Sequence, residues 1–357
     1  MKIGYLPYAP GSNPYQRLFA ESLEQAGVEV VRVAPRKFFP LSHAGRLPVD
    51  LLQLDWPHDW YRGRNAATQL LKSVMYRSGL RSICRRPVVW TVHNLVAHDA
   101  LDVGGEHRNI QRLIDVCDGV VVFSRAAEEA LRCSYRVSPA TMVAVTRHGH
   151  YIDCYPNRIS RAEARDRLAL PPDSRVVLSL GRLQPYKGIE NLVEAFRSVA
   201  GAKDVLLIAG LPSDAEYEAR LRAVCDQAAG EGRQVRYDPR LVPDDELQIY
   251  FNACDLVALP FRQILNSGSL LMAMSFGCPI VAPRHGSIPE IACRAAWFGY
   301  DLDDPSGLTG ALRAALSVPN SDAVRRTVLD FTRRNCDWQH VGQSVAGLYS
   351  SVLDRQS

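Results

Sequence analysis

The stretch "LSLGRLQPYKGIENLVEAF" (residues 178–196) decides the fold of this chain. It begins with an apolar run that ends at Gly181, and it closes with apolar positions at helical spacing. The turn between them carries Arg182 and Lys187, and Gly188 opens the helix. Two cations beside a helix amino terminus form a site for an anion such as a diphosphate. A solvated basic turn would have the same residues, so the interpretation depends on a second site elsewhere in the chain.

The alternation of apolar runs and amphipathic stretches continues in both directions along the chain. Each apolar run predicts a parallel strand, and each amphipathic stretch, such as residues 15–27 with Gly27 as its stop, predicts a helix. The predicted strands lie at residues 2–9, 27–34, 49–56, 86–94, 118–124, 141–149, 174–183, 203–211, 254–261 and 278–283. Polar residues 155–174 predict a linker that runs into a helix. The whole pattern predicts an α/β chain of two Rossmann-like, doubly wound domains that face each other across a cleft.

The bulk composition is that of an ordinary soluble globular protein. The 357 residues are 47% hydrophobic and 22% charged, and the length suits two separate cores. A net charge of +4 is too small to indicate a nucleic-acid partner. The nine cysteines show no metal-ligand spacing, and their odd number favours a reducing compartment. Without a signal-peptide pattern or an apolar run of about 18 residues, we expect a cytoplasmic protein.

A second turn of the anion-binding kind follows the strand predicted at residues 254–261. Small polar residues stand there before an apolar helix. They are Asn266, Ser267, Gly268 and Ser269. The asparagine or the first serine is a natural helix cap, the glycine lets backbone amides approach a ligand, and the second serine adds a hydroxyl. Capping alone would also explain these residues. Because both turns follow strands of one predicted sheet, we expect them to bind a diphosphate together.

Three stretches resemble the carboxyl-terminal domain of GT-B glycosyltransferases. They are "GRLQPYKGIENLVEAF" (181–196), "FNACDLVALPF" (251–261) and "AMSFGCPIVAPRHGSIPEI" (273–291). The chain is most similar to the group 1, family-4-like nucleotide-sugar transferases of bacterial polysaccharide and phospho-inositol mannoside synthesis. The resemblance covers nearly the whole chain. It implies a metal-independent hexosyltransferase that needs no cofactor.

The resemblance also implies a domain organisation. Residues 1–155 would form the acceptor-side domain, and residues 156–335 would form the nucleotide-sugar-binding domain. Residues 336–357 would form a last helix that packs back on the first domain. We expect the nucleobase near the loop at residues 236–247.

One departure from the family pattern concerns its pair of glutamates, which are separated by seven residues. The resemblance places these positions at Ile264 and Met272, and neither side chain can hydrogen-bond a hydroxyl. In the family the first glutamate lies beside the donor sugar and the second holds the ribose. Related β-mannosyltransferases with the GT-B fold also lack the pair, so both a retaining and an inverting reaction stay open.

Candidates for contact with the donor sugar and the acceptor follow the predicted strands of the first half. Gly11 suits backbone contact with the donor phosphates. Trp56 offers an indole platform for a sugar or lipid, although Trp56 and Trp60 could equally be packing residues. The sugar or acceptor candidates are Ser12, Asn13, Trp56, Asn94 and His148.

Candidates for catalysis lie beside these residues. Asp55 or Asp59 could serve as the general base of an inverting reaction. His93 lies just past a strand end and is, by resemblance, the histidine of the family's cleft, although a lone histidine often has a structural role. Arg262 and Glu290 are further donor-side candidates, and Glu290 could instead only cap its helix.

Residues 61–86 suggest a location for the protein. They contain seven Lys or Arg and no Asp or Glu, with apolar residues between them. A basic amphipathic surface favours an anionic membrane, here the cytosolic face, although a solvated helix packed on a sheet would have the same pattern. Contact with a membrane would suit a lipid-linked acceptor.

These observations favour a glycosyltransferase that moves a sugar from a nucleoside diphosphate donor to a lipid-linked or oligosaccharide acceptor. Resemblance to mannosyltransferases makes GDP-mannose the preferred donor. A same-fold epimerase would need more acidic residues in the cleft, and a phosphorylase would need a lysine-bound pyridoxal. A non-catalytic subunit that binds nucleotide sugars or glycans is the remaining alternative, against which the intact Arg–Lys turn argues.

Overall fold

The computed structural model describes residues 1–9, 11, 13–36, 40–63, 65–96, 102–318 and 321–355. The strands are β1 (Lys2–Leu6), β2 (Glu29–Arg32), β3 (Leu51–Leu54), β4 (Val88–Thr91), β5 (Gly119–Val122), β6 (Met142–Val145), β7 (Arg175–Leu180), β8 (Asp204–Ala209), β9 (Gln234–Asp238), β10 (Leu256–Ala258), β11 (Ile280–Pro283) and β12 (Trp297–Tyr300). The helices are α1 (Tyr15–Gln25), α2 (Pro40–Ala44), α3 (His58–Tyr61), α4 (Ala66–Ile83), α5 (Val103–Ile114), α6 (Arg125–Ser134), α7 (Arg161–Arg167), α8 (Ile189–Val199), α9 (Ala215–Gly230), α10 (Leu247–Ala253), α11 (Gly268–Ser275), α12 (Ile288–Ile291), α13 (Gly307–Ser317), α14 (Asp322–Asn335) and α15 (Trp338–Asp354). No helix within these ranges is long and apolar enough to cross a bilayer.

The chain divides into two compact units. Unit 1 consists of Met1–Gly149 and Asp337–Ser357, and unit 2 consists of His150–Cys336. The first division falls at Gly149 rather than at residue 155. The reason is local, because the His150 N–H donates to the Cys336 carbonyl oxygen at 2.8 Å, within unit 2.

Unit 1 is built on a six-stranded parallel sheet in the order β2-β1-β3-β4-β5-β6. The strands β3, β4 and β5 are buried along their whole length, as expected of a parallel sheet covered on both faces. Helix α15 packs against α1. Phe19 and Leu23 of α1 share a buried core with Val345 and Tyr349 of α15. The last helix therefore completes the core of the unit that begins the chain.

Unit 2 contains a second six-stranded parallel sheet, in the order β12-β11-β10-β7-β8-β9. Each strand predicted from the sequence contains one of the observed strands. The sequence pattern does not predict β9 and β12, which lie at the two edges of this sheet. Their residues are mostly half-buried, so they lack the continuous apolar run of the central strands.

The strand order places a candidate site in each unit. In unit 2, β7 lies between β8 and β10, and in unit 1, β1 lies between β2 and β3. The connections after such a central strand diverge to opposite faces of the sheet, which leaves a crevice at the carboxyl ends of the strands. The residues that follow β7 and β10, and those that follow β1 and β3, therefore line these crevices.

Candidate functional site

The Arg–Lys turn of unit 2 follows β7. Gly181 ends the strand with φ +120°, and a 3-10 turn, Pro185–Lys187, leads into α8. Gly188 begins that helix with φ +66°, and a Cβ at this position would lie 2.3 Å from the Pro260 carbonyl oxygen. Glycine is therefore required here by both the backbone angle and the close approach of the segment after β10. The contact fixes the turn against the neighbouring strand end.

The two turns predicted from the sequence meet at Gly181. A Cβ built on Gly181 would lie 3.3 Å from Lys187 Nζ and 3.8 Å from Ser269 Oγ. The space beside the Gly181 Cα is thus bordered by an ammonium and a hydroxyl from different turns. Arg182 is exposed on the same turn.

Lys187 has an unusual ionisation. Burial lowers the pKa of its ammonium from 10.5 to about 8. Burial is the cause of the shift, and in the described part of the chain no carboxylate pairs with Lys187 to offset the cost of removing this charge from water. A bound anion would supply that compensation.

Helix α11 begins at the second turn. Ser267 is its cap, and Ser267 Oγ accepts a hydrogen bond from the Leu270 N–H at 3.0 Å. The N–H groups of Gly268 and Ser269 point along the first turn of the helix, where a ligand can accept from them. A Cβ on Gly268 would meet no atom closer than Tyr151 Oη, at 3.9 Å, so the backbone is open to approach. Asn266 is half-buried just before the cap.

The two positions of the family's glutamates are apolar in structure as in sequence. Ile264 is only 5% exposed, and Met272 is half-buried on α11. Near Ile264 lies a polar side chain that no sequence motif indicates, that of Ser287. Ser287 is fully buried, its N–H donates to the Leu265 carbonyl oxygen at 3.0 Å, and its hydroxyl has no hydrogen-bond partner in the part of the chain that the structure describes.

Arg262 and Glu290 have different surroundings from the Arg–Lys turn. The Arg262 guanidinium donates to Asn191 Oδ1 at 3.0 Å and lies 3.8 Å from Glu190 Oε2, so it is directed at α8. Glu290 is half-buried in the four-residue helix α12. The structure therefore gives Arg262 a role in joining the segment after β10 to α8.

The loop after β9, where we expect the nucleobase, is held by a network of polar side chains. Tyr250 Oη donates to Asp238 Oδ2 at 2.5 Å. Arg240 pairs with the same carboxylate at 3.0 Å and with Glu246 at 2.5 Å. The contact of Tyr250 with Asp238 joins this loop to α10.

In unit 1, Asp55 and His93 lie together at the ends of β3 and β4. Asp55 has no exposed surface, and its Oδ1 is 3.4 Å from His93 Nε2. Tyr5 Oη donates to Asp55 Oδ2 at 2.5 Å. The expectation that Asp55 is itself the base needs correction, because a fully buried carboxylate cannot reach an acceptor hydroxyl. From this position Asp55 can act only through His93.

Trp56 has both of the roles that the sequence left open. Its ring stacks on His93, with centroids 4.3 Å apart and planes at 17°, and it contacts Tyr15 edge-on at 5.5 Å. It is also half-exposed, and its φ of +36° is rare for a residue other than glycine. Trp60, in contrast, is mostly buried.

His148 belongs to the interior and not to an exposed sugar site. It is 7% exposed, and its ring contacts those of Tyr15, Phe123 and Trp338. Its Nδ1 lies 2.8 Å from the Gly149 carbonyl oxygen. Burial lowers the pKa of His148 to about 4. The expected contact of His148 with a sugar is therefore corrected by its burial in this aromatic cluster.

The remaining candidates of unit 1 lie in loops. Gly11 is exposed and has open space where a Cβ would stand. Asn13 Oδ1 accepts from the Tyr15 N–H at 3.0 Å, which helps to start α1. Asn94 is half-buried after β4, and Ser12 lies outside the described residues. Asp59 is exposed on α3.

A cavity of about 740 Å³ opens within unit 1 beside these residues. Trp56, Asp59 and Trp60 line it, and its volume is in the range of small-molecule sites. Its rim is braced by Glu106 of α5, which accepts from Arg62 Nε at 2.5 Å and from Tyr61 Oη at 2.9 Å. Burial would raise the pKa of Glu106, but hydrogen bonds from His58, Arg62 and Tyr61 lower it to about 2.

Comparisons with known proteins agree with this architecture. The family described as "Glycosyl transferases group 1" matches residues 160–323. The chain is 29% identical over 355 residues to a GDP-mannose:glycolipid 4-beta-D-mannosyltransferase of Xanthomonas campestris pv. campestris, a match that covers 96% of this chain and 90% of that protein. It is 27% identical to a D-inositol 3-phosphate glycosyltransferase of Corynebacterium glutamicum, over 78% of this chain and 70% of the relative.

A solved structure shares the fold at low sequence identity. The sucrose-phosphate synthase of Thermosynechococcus elongatus superposes with a TM-score of 0.74 at 19% identity, over 99% of each chain. In the described residues, no group of three or more His, Cys, Asp or Glu side chains could hold a metal ion.

Proposed function

We propose that this chain, a group 1 glycosyltransferase with the GT-B fold and a relative of β-mannosyltransferases, transfers mannose from GDP-mannose to a lipid-linked glycan in polysaccharide synthesis. One observation carries the donor side of the proposal. Lys187 Nζ and Ser269 Oγ border the same space beside Gly181, at the carboxyl end of the central strand β7. A diphosphate fits the charge and the position of that space.

The residues of unit 2 would stabilise the departing GDP. Negative charge develops on the diphosphate as its bond to the sugar breaks, and fixed cations and helix amides stabilise that charge without reorganising. Lys187 is desolvated, which strengthens its interaction with an anion, and Arg182 stands on the same turn. Because these groups supply the positive charge, we expect transfer to continue in the presence of EDTA.

Two observations support the choice of GDP-mannose as donor and of inversion as the stereochemical outcome. They are the similarity to the Xanthomonas mannosyltransferase and the apolar residues at positions 264 and 272. Mannose is α-linked in GDP-mannose, so a β product requires a single displacement with inversion. Such a displacement needs a base for the acceptor hydroxyl. We assign this role to His93, which Asp55 and Tyr5 orient through the contacts described above.

A lipid-linked acceptor agrees with the surface of α4. Three large apolar side chains of this helix are more than half exposed. They are Leu70, Leu71 and Val74. The helix also carries Lys72, Arg77 and Arg81, so it offers an anionic bilayer both apolar contact and positive charge. Cosedimentation with vesicles of anionic phospholipid, lost in Leu70→Ser/Leu71→Ser and absent with phosphatidylcholine, is the expected result. Equal sedimentation of wild type and variant would contradict the membrane role.

The donor is tested by calorimetry and thermal shift with GDP, UDP, ADP and their sugar conjugates. We expect the strongest binding with GDP and its loss in Lys187→Ala. Lys203→Ala is the matched control, because Lys203 is an exposed lysine of unit 2 that pairs with Asp173. A preference for UDP would overturn the choice of GDP-mannose alone. Binding of no nucleotide would overturn the donor site.

The acceptor reaction is tested by incubating GDP-mannose with a membrane lipid extract and following transfer of radiolabelled mannose. Transfer that His93→Ala abolishes, while GDP binding is kept, supports the assigned base. Undiminished transfer by that variant would exclude it.

A further inference from the structure

A second pair of polar side chains lies next to Asp55 and His93 in unit 1. Gln53 is on β3 and Thr91 ends β4, and Gln53 Nε2 donates to Thr91 Oγ1 at 2.7 Å. Gln53 precedes Asp55 by two residues, and Thr91 precedes His93 by two residues. Residues two apart in a strand share a face of the sheet. The Gln53 amide therefore ties together the two strand ends from which Asp55 and His93 follow.

This pair belongs to a polar network inside the core of unit 1. Five residues of the network have no exposed surface. They are Tyr5, Gln53, Asp55, Thr91 and Tyr349. Buried polar groups cost stability unless they are hydrogen-bonded, and a fully bonded network holds its members in one arrangement. The contribution of these residues is therefore a fixed geometry, since apolar residues would fill the same space at a lower cost.

The last helix of the chain sets the orientation of the Gln53 amide. Tyr349 Oη, on α15, donates to Gln53 Oε1 at 2.8 Å. The nitrogen of the amide faces three oxygens, Thr91 Oγ1 at 2.7 Å, the Leu54 carbonyl oxygen at 3.1 Å and Asp55 Oδ1 at 3.5 Å. A reversed amide would set its oxygen against those of Leu54 and Asp55. The Tyr349 hydroxyl completes the arrangement by giving Oε1 a donor.

Both tyrosines of the network are protonated donors. Burial and then the charge of Asp55 hold the pKa of the Tyr5 hydroxyl and that of the Tyr349 hydroxyl well above the usual range. Each hydroxyl therefore keeps its hydrogen at neutral pH and donates it, Tyr349 to Gln53 and Tyr5 to Asp55 Oδ2.

Asp55 is held from two sides and lies against the assigned base. Tyr5 Oη donates to its Oδ2 at 2.5 Å, and Gln53 Nε2 lies 3.5 Å from its Oδ1. The same Oδ1 is 3.4 Å from His93 Nε2. The His93 side chain is 12% exposed, so a displacement inside the network reaches the surface of unit 1 through this imidazole.

We propose that Tyr349 is a positioning residue for the base of the transfer reaction. Its hydroxyl fixes the Gln53 amide, the amide and Tyr5 fix the Asp55 carboxylate, and the carboxylate orients the His93 imidazole. This inference rests on the proposed function, because it concerns the base assigned there. It gives α15 a part in the reaction, although this helix follows the whole of unit 2 in the sequence.

The first test measures the kinetics of mannose transfer by Tyr349→Phe, which loses the hydroxyl and keeps the ring in the core. We expect kcat to fall about tenfold or more, while KM for GDP-mannose and the affinity for GDP change less than about twofold. Tyr76→Phe is the matched control and should keep the kcat of wild type. Tyr76 is also a buried tyrosine of unit 1, and its hydroxyl donates to the Asn109 carbonyl oxygen at 3.1 Å.

A double variant separates positioning from a general loss of structure. If Tyr349 acts through His93, adding Tyr349→Phe to His93→Ala should change the remaining transfer by less than about twofold. An unchanged kcat in Tyr349→Phe, an equal fall in Tyr76→Phe, or the full fall in the His93→Ala background would each overturn the inference.

A further measurement does not depend on transfer. The nitrogen-15 chemical shifts of the His93 ring are recorded in histidine-labelled protein and assigned by their loss in His93→Ala. They should change in Tyr349→Phe and stay the same in Tyr76→Phe, and unchanged shifts in Tyr349→Phe would overturn the inference. If the shifts change and wild type transfers no mannose, the proposed function fails while the link between Tyr349 and His93 stands.

Discussion

Affinity for GDP should decrease as the pH rises through the pKa of Lys187. Burial lowers that pKa from 10.5 to about 8, so the ammonium begins to lose its proton just above neutral pH. If only the protonated form binds the diphosphate, the apparent affinity scales with the protonated fraction. Between pH 7 and pH 8.5 this fraction falls about fourfold for a pKa near 8, whereas it stays nearly constant for an ordinary lysine. The expected loss of GDP affinity is therefore about fourfold.

The assay is titration calorimetry with GDP in buffers from pH 6.5 to 8.5 at constant ionic strength. Lys187→Arg is the control, because a guanidinium stays charged across this range and the variant shares any titration of the ligand itself. We expect wild type to lose affinity above pH 7.5 and Lys187→Arg to keep a flat profile.

A flat profile in wild type would refute the reasoning, since it would mean that Lys187 either keeps an ordinary pKa or does not contact the diphosphate. A fall of equal size in both proteins would place the titrating group on the ligand or elsewhere in the chain. Only a fall specific to wild type supports a desolvated ammonium as the phosphate contact.

Four further outcomes follow from the two units. His93→Ala should lower transfer by about 10²–10⁴-fold with unchanged GDP affinity, and a loss of GDP affinity of the same size would place His93 in donor binding instead. Unit 1 should lose up to about 3 kcal/mol of unfolding free energy as the pH falls from 6.5 to 4, because the unfolded chain takes up a proton that buried His148, with its pKa near 4, does not. Urea unfolding of His148→Phe should lack that dependence, and a slope equal to that of wild type would exclude His148 as its source. Gly268→Ala should raise or keep the melting temperature, since alanine favours a helix and no atom lies within 3.9 Å, yet lower GDP affinity about tenfold. Ile264→Glu should destabilise unit 2 by about 2–4 kcal/mol in chemical unfolding, because the carboxylate would be buried without a partner, and a neutral effect would show that the position opens to solvent.

The central strands of both sheets are predictable from the sequence because nearly all of their residues are buried. The strands β4, β5 and β7 are almost wholly buried, so each is a mostly apolar run of the length expected for a strand in a covered parallel sheet. The edge strands β9 and β12 are only partly buried, so apolar and polar residues are mixed in their sequences. Such a mixture does not distinguish a strand from a loop. The sequence leaves Asn266 and Ser267 as candidates for the amino-terminal cap of α11, and in the structure the cap is Ser267.

The proximity of two site residues is predictable when both directly follow neighbouring parallel strands. Lys187 and Ser269 follow neighbouring strands of one sheet, and parallel strands bring their carboxyl ends together, so their proximity follows from topology. The burial of a side chain, in contrast, does not follow from the topology. Asp55 directly follows β3 and Asp59 lies four residues later on α3, yet Asp55 is fully buried beside His93 and Asp59 is exposed. That difference depends on the backbone path between β3 and α3. The spacing of the two aspartates in the sequence does not predict this path.

The apolar residues Ile264, before α11, and Met272, on α11, would change the electrostatics of the proposed donor site as well as its hydrogen bonds. In the proposed donor site, Ile264 and Met272 in place of two glutamates would remove up to two negative charges from the surroundings of a diphosphate bound by Lys187. Less repulsion of the proposed leaving group would stabilise GDP as it departs. The hydroxyls of the ribose and sugar would then need neutral partners, for which the proposed site offers the half-buried Asn266. In the proposed reaction the base is His93 of unit 1, whose Nε2 lies 3.4 Å from Oδ1 of the buried Asp55 carboxylate.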